Sequence, residues 1–165
     1  MLTTETTTLC EAIDSLNEHI DALQEHLDDL DPSTDEATAV SNQRDRLQYL
    51  RRGVEWQADE WGEDVEVTIG ALTAGEEAMM HREIPDDAGE KERRLWYVAA
   101  ASEAGPYVED DLSDTFANVA DLHPAFVEWV EGTSNALGVA GNRSSTSSTA
   151  SETSGTSTPT PDSTT

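Results

Sequence analysis

The sequence predicts a mainly α protein. An N-terminal antiparallel helical hairpin, coiled-coil-like, precedes a small helical domain with one short strand and a disordered C-terminal tail. Three observations predict this. Leu9, Ile13, Leu16, Ile20, Leu23, Leu27 and Leu30 recur at alternating spacings of four and three, a heptad stripe. After a break at Asp31-Pro32, a second stripe follows at Val40, Leu47, Val54 and Trp61. From Gly141 onward Ser and Thr supply 16 of the last 25 residues, and no large apolar residue remains to offset chain entropy. The expected bounds are 6–61 for the hairpin, 62–138 for the helical domain and 139–165 for the tail.

Each element has its own local signal. Thr8 and Glu11 have capping-box spacing and start the first helix; Asp31-Pro32 ends it, because proline cannot continue a helix and pushes its predecessor out of the helical region. Ser33 and Glu36 offer a second capping box. The break is short enough that the two helices should fold back on each other. Gln43 and Gln57 dilute the second seam, and Gly53 weakens its helix by up to about 1 kcal/mol. Trp61-Gly62 closes the hairpin. Val65, Val67 and Ile69 then alternate with Glu66 and Thr68, a strand that Gly70 ends. Thr73 and Glu76 form a third capping box before a short helix through Met79, Met80 and His81. Glu90 to Ala104 reads as a helix stopped at Gly105-Pro106. Leu112, Phe116 and Val119 mark a short helix, and His123-Pro124 opens a last one that Gly138 should end.

Charge narrows the function classes. Thirty-five acidic residues stand against nine basic ones, a formal net charge of -26. Self-repulsion of that size opposes a compact state unless salt screens it, and screening length falls to about 3 Å at 1 M. Lys91 is the only lysine, and the acid-rich, Thr/Ser-rich, lysine-poor composition resembles that of proteins from salt-in halophilic archaea. Folding is therefore expected to need molar salt. Nucleic acid is not an expected partner, because Arg44, Arg46, Arg51 and Arg52 are flanked by acids and counterion release needs a cationic face. A single cysteine, Cys10, leaves no internal disulfide or multi-cysteine zinc site. No apolar run approaches the roughly 20 residues of a membrane span, and Met1–Thr8 lacks the pattern of a secretion signal. A cytoplasmic protein without membrane contact is expected.

Catalytic signatures are missing. The sequence has no HExxH, phosphate loop, dinucleotide fingerprint or GxSxG. His19 and His26 lie two helical turns apart, about 10 Å along the axis, too far to share one metal ion. Asp86-Asp87 and Asp110-Asp111 read as surface charge. Neither enzymatic activity, a cofactor nor a metal is expected. Binding through apolar surface is. Leu16, Ile20, Leu23 and Leu27 on the first seam, with Trp96 and Trp129 as large aromatic anchors, are the candidate partner-binding residues. The Met79-Met80 pair reads either as core filling or as an adaptable contact. A long amphipathic helical protein suits such a seam, and so does a second copy of the chain, giving a homo-oligomer.

A family resemblance rests on an ordered series of segments. The strand Val65–Ile69 leads directly into Gly70-Ala71-Leu72-Thr73-Ala74-Gly75-Glu76. Arg93–Ala101 follows, with Tyr97 before a run of Val and Ala. Last come Leu122-His123-Pro124, Phe126, Val127 and Val130, ending over Ser134–Leu137. This order, over a little under half of the chain, resembles the tail assembly chaperones of long-tailed phages and archaeal viruses. The resemblance implies a mostly helical protein of a haloarchaeal virus or provirus that coats and solubilises the tape-measure protein. It also implies that the protein works in the host cytoplasm and is absent from the mature virion. The alternative is a halophilic coiled-coil adaptor with no viral role.

Overall fold

The computed structural model describes residues 1–145. The chain runs β1 (Thr4–Thr8), α1 (Leu9–Asp28), α2 (Asp35–Trp61), β2 (Glu66–Gly70), α3 (Ala74–Glu83), α4 (Glu90–Ala101), β3 (Ser102–Ala104), α5 (Leu112–Ala120) and α6 (Pro124–Ser145). The mainly helical architecture and the α1–α2 hairpin agree with the sequence. The single expected strand is instead the centre of a three-stranded antiparallel sheet, β1-β2-β3. β1 pairs with β2 from Thr4↔Gly70 to Thr8↔Glu66. Its run of β-branched threonines suits a pleated surface, and the Thr6 and Thr68 hydroxyls meet across it at 2.8 Å. β3 arises because α4 stops at Ala101, short of the expected Ala104. Ser102 adopts extended backbone and pairs with Ile69.

The caps follow the local chemistry, with one shift. Thr8 with Glu11, and Thr73 with Glu76, form complete capping boxes. The second helix is capped by Thr34, whose hydroxyl accepts the Ala37 N–H, rather than by Ser33. Asp31 explains the shift: its carboxylate accepts both the N–H and the hydroxyl of Ser33, which holds Ser33 outside the helix. Gly62 ends α2 at φ 108°, a left-handed value that favours glycine.

α6 continues through Gly138 to Ser145, so the expected stop there is corrected. Gly138 is simply part of the helix wall; a Cβ there would lie at ordinary contact distance from Ala71. One interior glycine costs a helix only about 1 kcal/mol. Residues 139–145, expected as part of the disordered tail, belong to α6, and the rest of that expected tail, 146–165, lies outside the described residues.

One main core draws on both sides of the boundary read at residue 61. Leu9 and Leu16 of α1, Leu50 and Val54 of α2, Val67 and Ile69 of β2, Val98 of α4 and Phe126, Trp129 and Val130 of α6 all belong to it. Trp61, Tyr107 and Phe126 form its aromatic centre: Trp61 stacks on Tyr107 at 5.7 Å and meets Phe126 edge-on at 5.6 Å. Burial pushes the Tyr107 hydroxyl up to about 12, while the Ser102 hydroxyl supplies its hydrogen bond at 2.9 Å. A smaller core joins α3, α4 and α5 around Met80, Ile84, Ala88 and Trp96, with Phe116 stacked on Trp96 at 4.2 Å.

Two residues read as weak points of α2 are where it meets α6. A Cβ on Gly53 would lie 2.4 Å from the Phe126 nitrogen and 2.5 Å from the Ala125 carbonyl carbon, so only glycine allows this approach. One turn on, the buried Gln57 accepts the His123 N–H at 3.0 Å. The His123 ring then accepts the Ala125 N–H through Nδ1. Together they satisfy donors at the start of α6 that have no partner within the helix.

Candidate partner-binding groove

α1 and α6 both pack on α2 but make little contact with each other, so a groove opens between them. Its volume is about 590 Å³. Leu47 and Leu50 of α2 form the floor, Ala12 and Leu16 of α1 one wall, and Trp129, Ala136 and Leu137 of α6 the other. Small side chains keep the α6 wall low: Gly132 has nothing within 4 Å of where a Cβ would stand. The open cleft is thus set by residue size along α6 as well as by helix angle.

The rim is polar and acidic. Glu5 and Thr7 of β1 close one end beside Glu11, and His19 stands on the α1 side. The Thr8 backbone N–H donates to the Glu11 carboxylate in the capping box, and with the neighbouring Thr8 and Thr7 hydroxyls this holds its pKa below the ordinary glutamate value. His19 donates through Nδ1 to the Ser15 carbonyl at 2.7 Å, which folds its ring back along α1. An apolar floor with acids at the edge suits an amphipathic segment laid along the cleft.

The six residues singled out in the sequence occupy different places. Leu16 and Trp129 face each other across this groove, each 8 % exposed. Ile20 is buried between α1 and α2 beyond it. Leu23 is partly buried further along the hairpin, and Leu27 lines a separate hollow near the hairpin turn with Pro32, Ala37 and Arg44. Trp96 is buried in the smaller core and does not reach the groove; its indole N–H has no acceptor. Leu47, Leu50 and Leu137 are groove residues that sequence reasoning left out of the site. Their signal was present in the second stripe and in the small Gly132 and Ala136, one turn apart on the last helix.

Among the described residues no three His, Cys, Asp or Glu side chains converge as a metal site, and no helix is long and apolar enough to cross a membrane. What the groove offers chemically is apolar surface with an ionised rim. Compared with protein-family models, curated proteins and solved structures, the chain matches none.

Proposed function

We propose that this protein is a viral tail assembly chaperone, which binds and solubilises a tape-measure protein through the groove between α1 and α6. The groove carries the reading, because its floor of Leu47 and Leu50 and its walls at Leu16, Trp129 and Leu137 suit one face of a long amphipathic helix. The resemblance of 65–137 to that family supports it from the sequence side. Charge supports it as well. A coat with net charge -26 disperses a hydrophobic client that salt would otherwise drive to aggregate. Surface ion pairs are screened at molar salt, so the contact is apolar and strengthens as salt rises. Co-expression with the candidate tape-measure protein, followed by pull-down in rising KCl, tests this. Wild type should retain and solubilise the client. Ala136→Glu places a charge on the exposed α6 wall and should cut capture by at least about tenfold without unfolding the chain. No capture by wild type, capture untouched by Ala136→Glu, or recovery of the protein as a stoichiometric part of mature particles rejects the proposal. The partly buried Leu23, Leu27 and Leu30 on the far half of the hairpin favour a second reading, a coiled-coil adaptor that pairs there with another helix.

A further inference from the structure

We infer that α3, with the loop that follows it to Ala88, is a hinged flap that opens over Trp96 while the main core stays folded. The inference does not rest on the chaperone reading.

The segment is thinly attached. From Ala74 to Ala88 only Met80, Ile84 and Ala88 are buried, and Met79 is 64 % exposed. All three buried side chains belong to the smaller core and none to the main one. α3 packs on α4 and makes little contact with any other element. A hollow of about 270 Å³ also undercuts it, lined by Glu77, Met80 and His81 of α3, Arg93 and Tyr97 of α4 and Glu131 of α6. Close packing is what makes a segment resist opening, and here it is interrupted. A ten-residue helix does not persist alone, because isolated helices below about 12–15 residues are marginal in water. Release of the three side chains therefore unwinds α3 as it detaches.

The ends are held better than the middle. Thr73 and Glu76 form the capping box, and Glu76 also accepts the Met1 ammonium at 2.7 Å. At the far end the Arg93 Nε–H donates to the Ala88 carbonyl at 3.0 Å, and α4 starts directly after Gly89. The chain therefore pivots near Thr73 and near Gly89. Neither pivot is in the main core.

What lies beneath supplies a reason to open. Trp96 is 6 % exposed, and its indole N–H has no acceptor among the described residues. A buried donor without a partner costs the closed state the hydrogen bond that water would otherwise give it. Phe116 of α5 stacks on Trp96 at 4.2 Å, a contact in which α3 takes no part. Val98 and Ala99, on the same helix as Trp96, belong to the main core and hold α4 in place. Lifting α3 thus hydrates the indole without dispersing the aromatic pair or moving α4.

Hydrogen exchange followed by NMR on the full-length protein in molar KCl tests this. The amides of Met80 and Ile84 and the Trp96 indole N–H should report one shared opening. That opening should be at least about tenfold more populated than the one that exposes the Val98 and Ala99 amides. Val54→Ala leaves a cavity in the main core, on a helix that α3 barely touches. It should raise exposure of Val98 and Ala99 by about tenfold or more, and leave α3 and the indole unchanged. Thiol labelling gives a second readout. Met80→Cys with Cys10→Ser leaves a single thiol beneath the flap, which should alkylate at least about tenfold faster than the one in Val98→Cys with Cys10→Ser. Equal exchange at α3 and Val98, acceleration of α3 by Val54→Ala, equal alkylation of the two thiols, or an indole N–H that stays protected while the α3 amides exchange overturns the proposal. Should Val54→Ala fail to fold, the comparison within the wild-type protein still decides it.

Discussion

The two halves of the hairpin carry the same heptad pattern and lead different lives. In the half near the sheet, Leu9, Leu16, Leu50 and Val54 sit in the main core, covered by α6, β2 and α4 as well as by each other. In the far half, Ile20 and Ala37 are buried, but Leu23, Leu27, Leu30 and Val40 stay partly exposed and belong to neither core. There α1 and α2 cover only one another. Polar links across the pair take over: Arg44 donates to Gln24 at 2.8 Å, and His26 lies 3.6 Å from Glu36. A heptad stripe states which face of a helix is apolar. How many neighbours cover that face depends on where distant segments pack, here α6.

The largest expected effect comes from disturbing the near half where α6 crosses it. In Gly53→Val, the added side chain meets backbone atoms of Ala125 and Phe126, which cannot swing aside as a side chain would. The start of α6 must move, and with it the Gln57–His123 hydrogen bond. Overpacking of this kind costs about 1–3 kcal/mol, occasionally more. Even Gly53→Ala should destabilise, although alanine improves helix propensity by about 1 kcal/mol. Urea unfolding in molar KCl measures both. A midpoint for Gly53→Ala at or above that of wild type would mean that the helices do not approach this closely.

That glycine also marks the limit of what the sequence makes legible. Periodicity and caps are local, so the hairpin, the Asp31-Pro32 break and the Thr8 and Thr73 boxes could all be read from a few residues. Gly53 and Gln57 look like flaws in a seam until α6 is placed against them. β1 carried a usable signal in its β-branched run, but its partner lies about sixty residues away, and strand pairing is a non-local fact. Ser102 to Ala104 continue a helical pattern and leave it only because Ile69 and Thr68 offer a ladder. The site divides in the same way. Leu16 was visible as an apolar position, and Trp129 as a large aromatic. That they face each other across a cleft, while Trp96 is sealed under Phe116, depends on packing.

A matched pair of substitutions along one stripe sharpens the contrast between the halves. Leu16→Asp removes a large apolar side chain that is 8 % exposed and packed in the main core, and should cost about 2–5 kcal/mol even with the new carboxylate at the groove wall. Leu27→Asp introduces the same group at a partly exposed position beside an open hollow and should cost about 1 kcal/mol or less, because the charge stays hydrated. Thermal melts followed by circular dichroism in molar KCl rank the two. Equal losses would mean that the far half is as well covered as the near one, as a second chain packed on Leu23 and Leu27 would make it. Sedimentation of the same samples would then reveal the oligomer.

The smallest effect should come from the polar links of the far half. Arg44 ties α2 to α1 by donating to Gln24, and its remaining contacts are with Asp45 at 2.7 Å and Ser41 on its own helix. Asp45 is largely exposed, and exposed pairs contribute about 0–1 kcal/mol, less when salt screens them. Arg44→Ala should therefore change global stability by no more than about 0.5 kcal/mol. The loss should surface instead as local opening. Amide hydrogens between roughly Ile20 and Asp45 should exchange faster than in wild type, while those of the near half, protected up to the global unfolding free energy, should not change. Local opening of this kind requires that the far half separate without pulling on the near half. If Arg44→Ala instead lowers the global midpoint by more than about 1 kcal/mol, or speeds exchange at Leu50 and Val54 together with Ile20, the hairpin opens as one unit. Coverage by α6 would then stabilise both halves equally, and the far half could not act as an independently yielding arm.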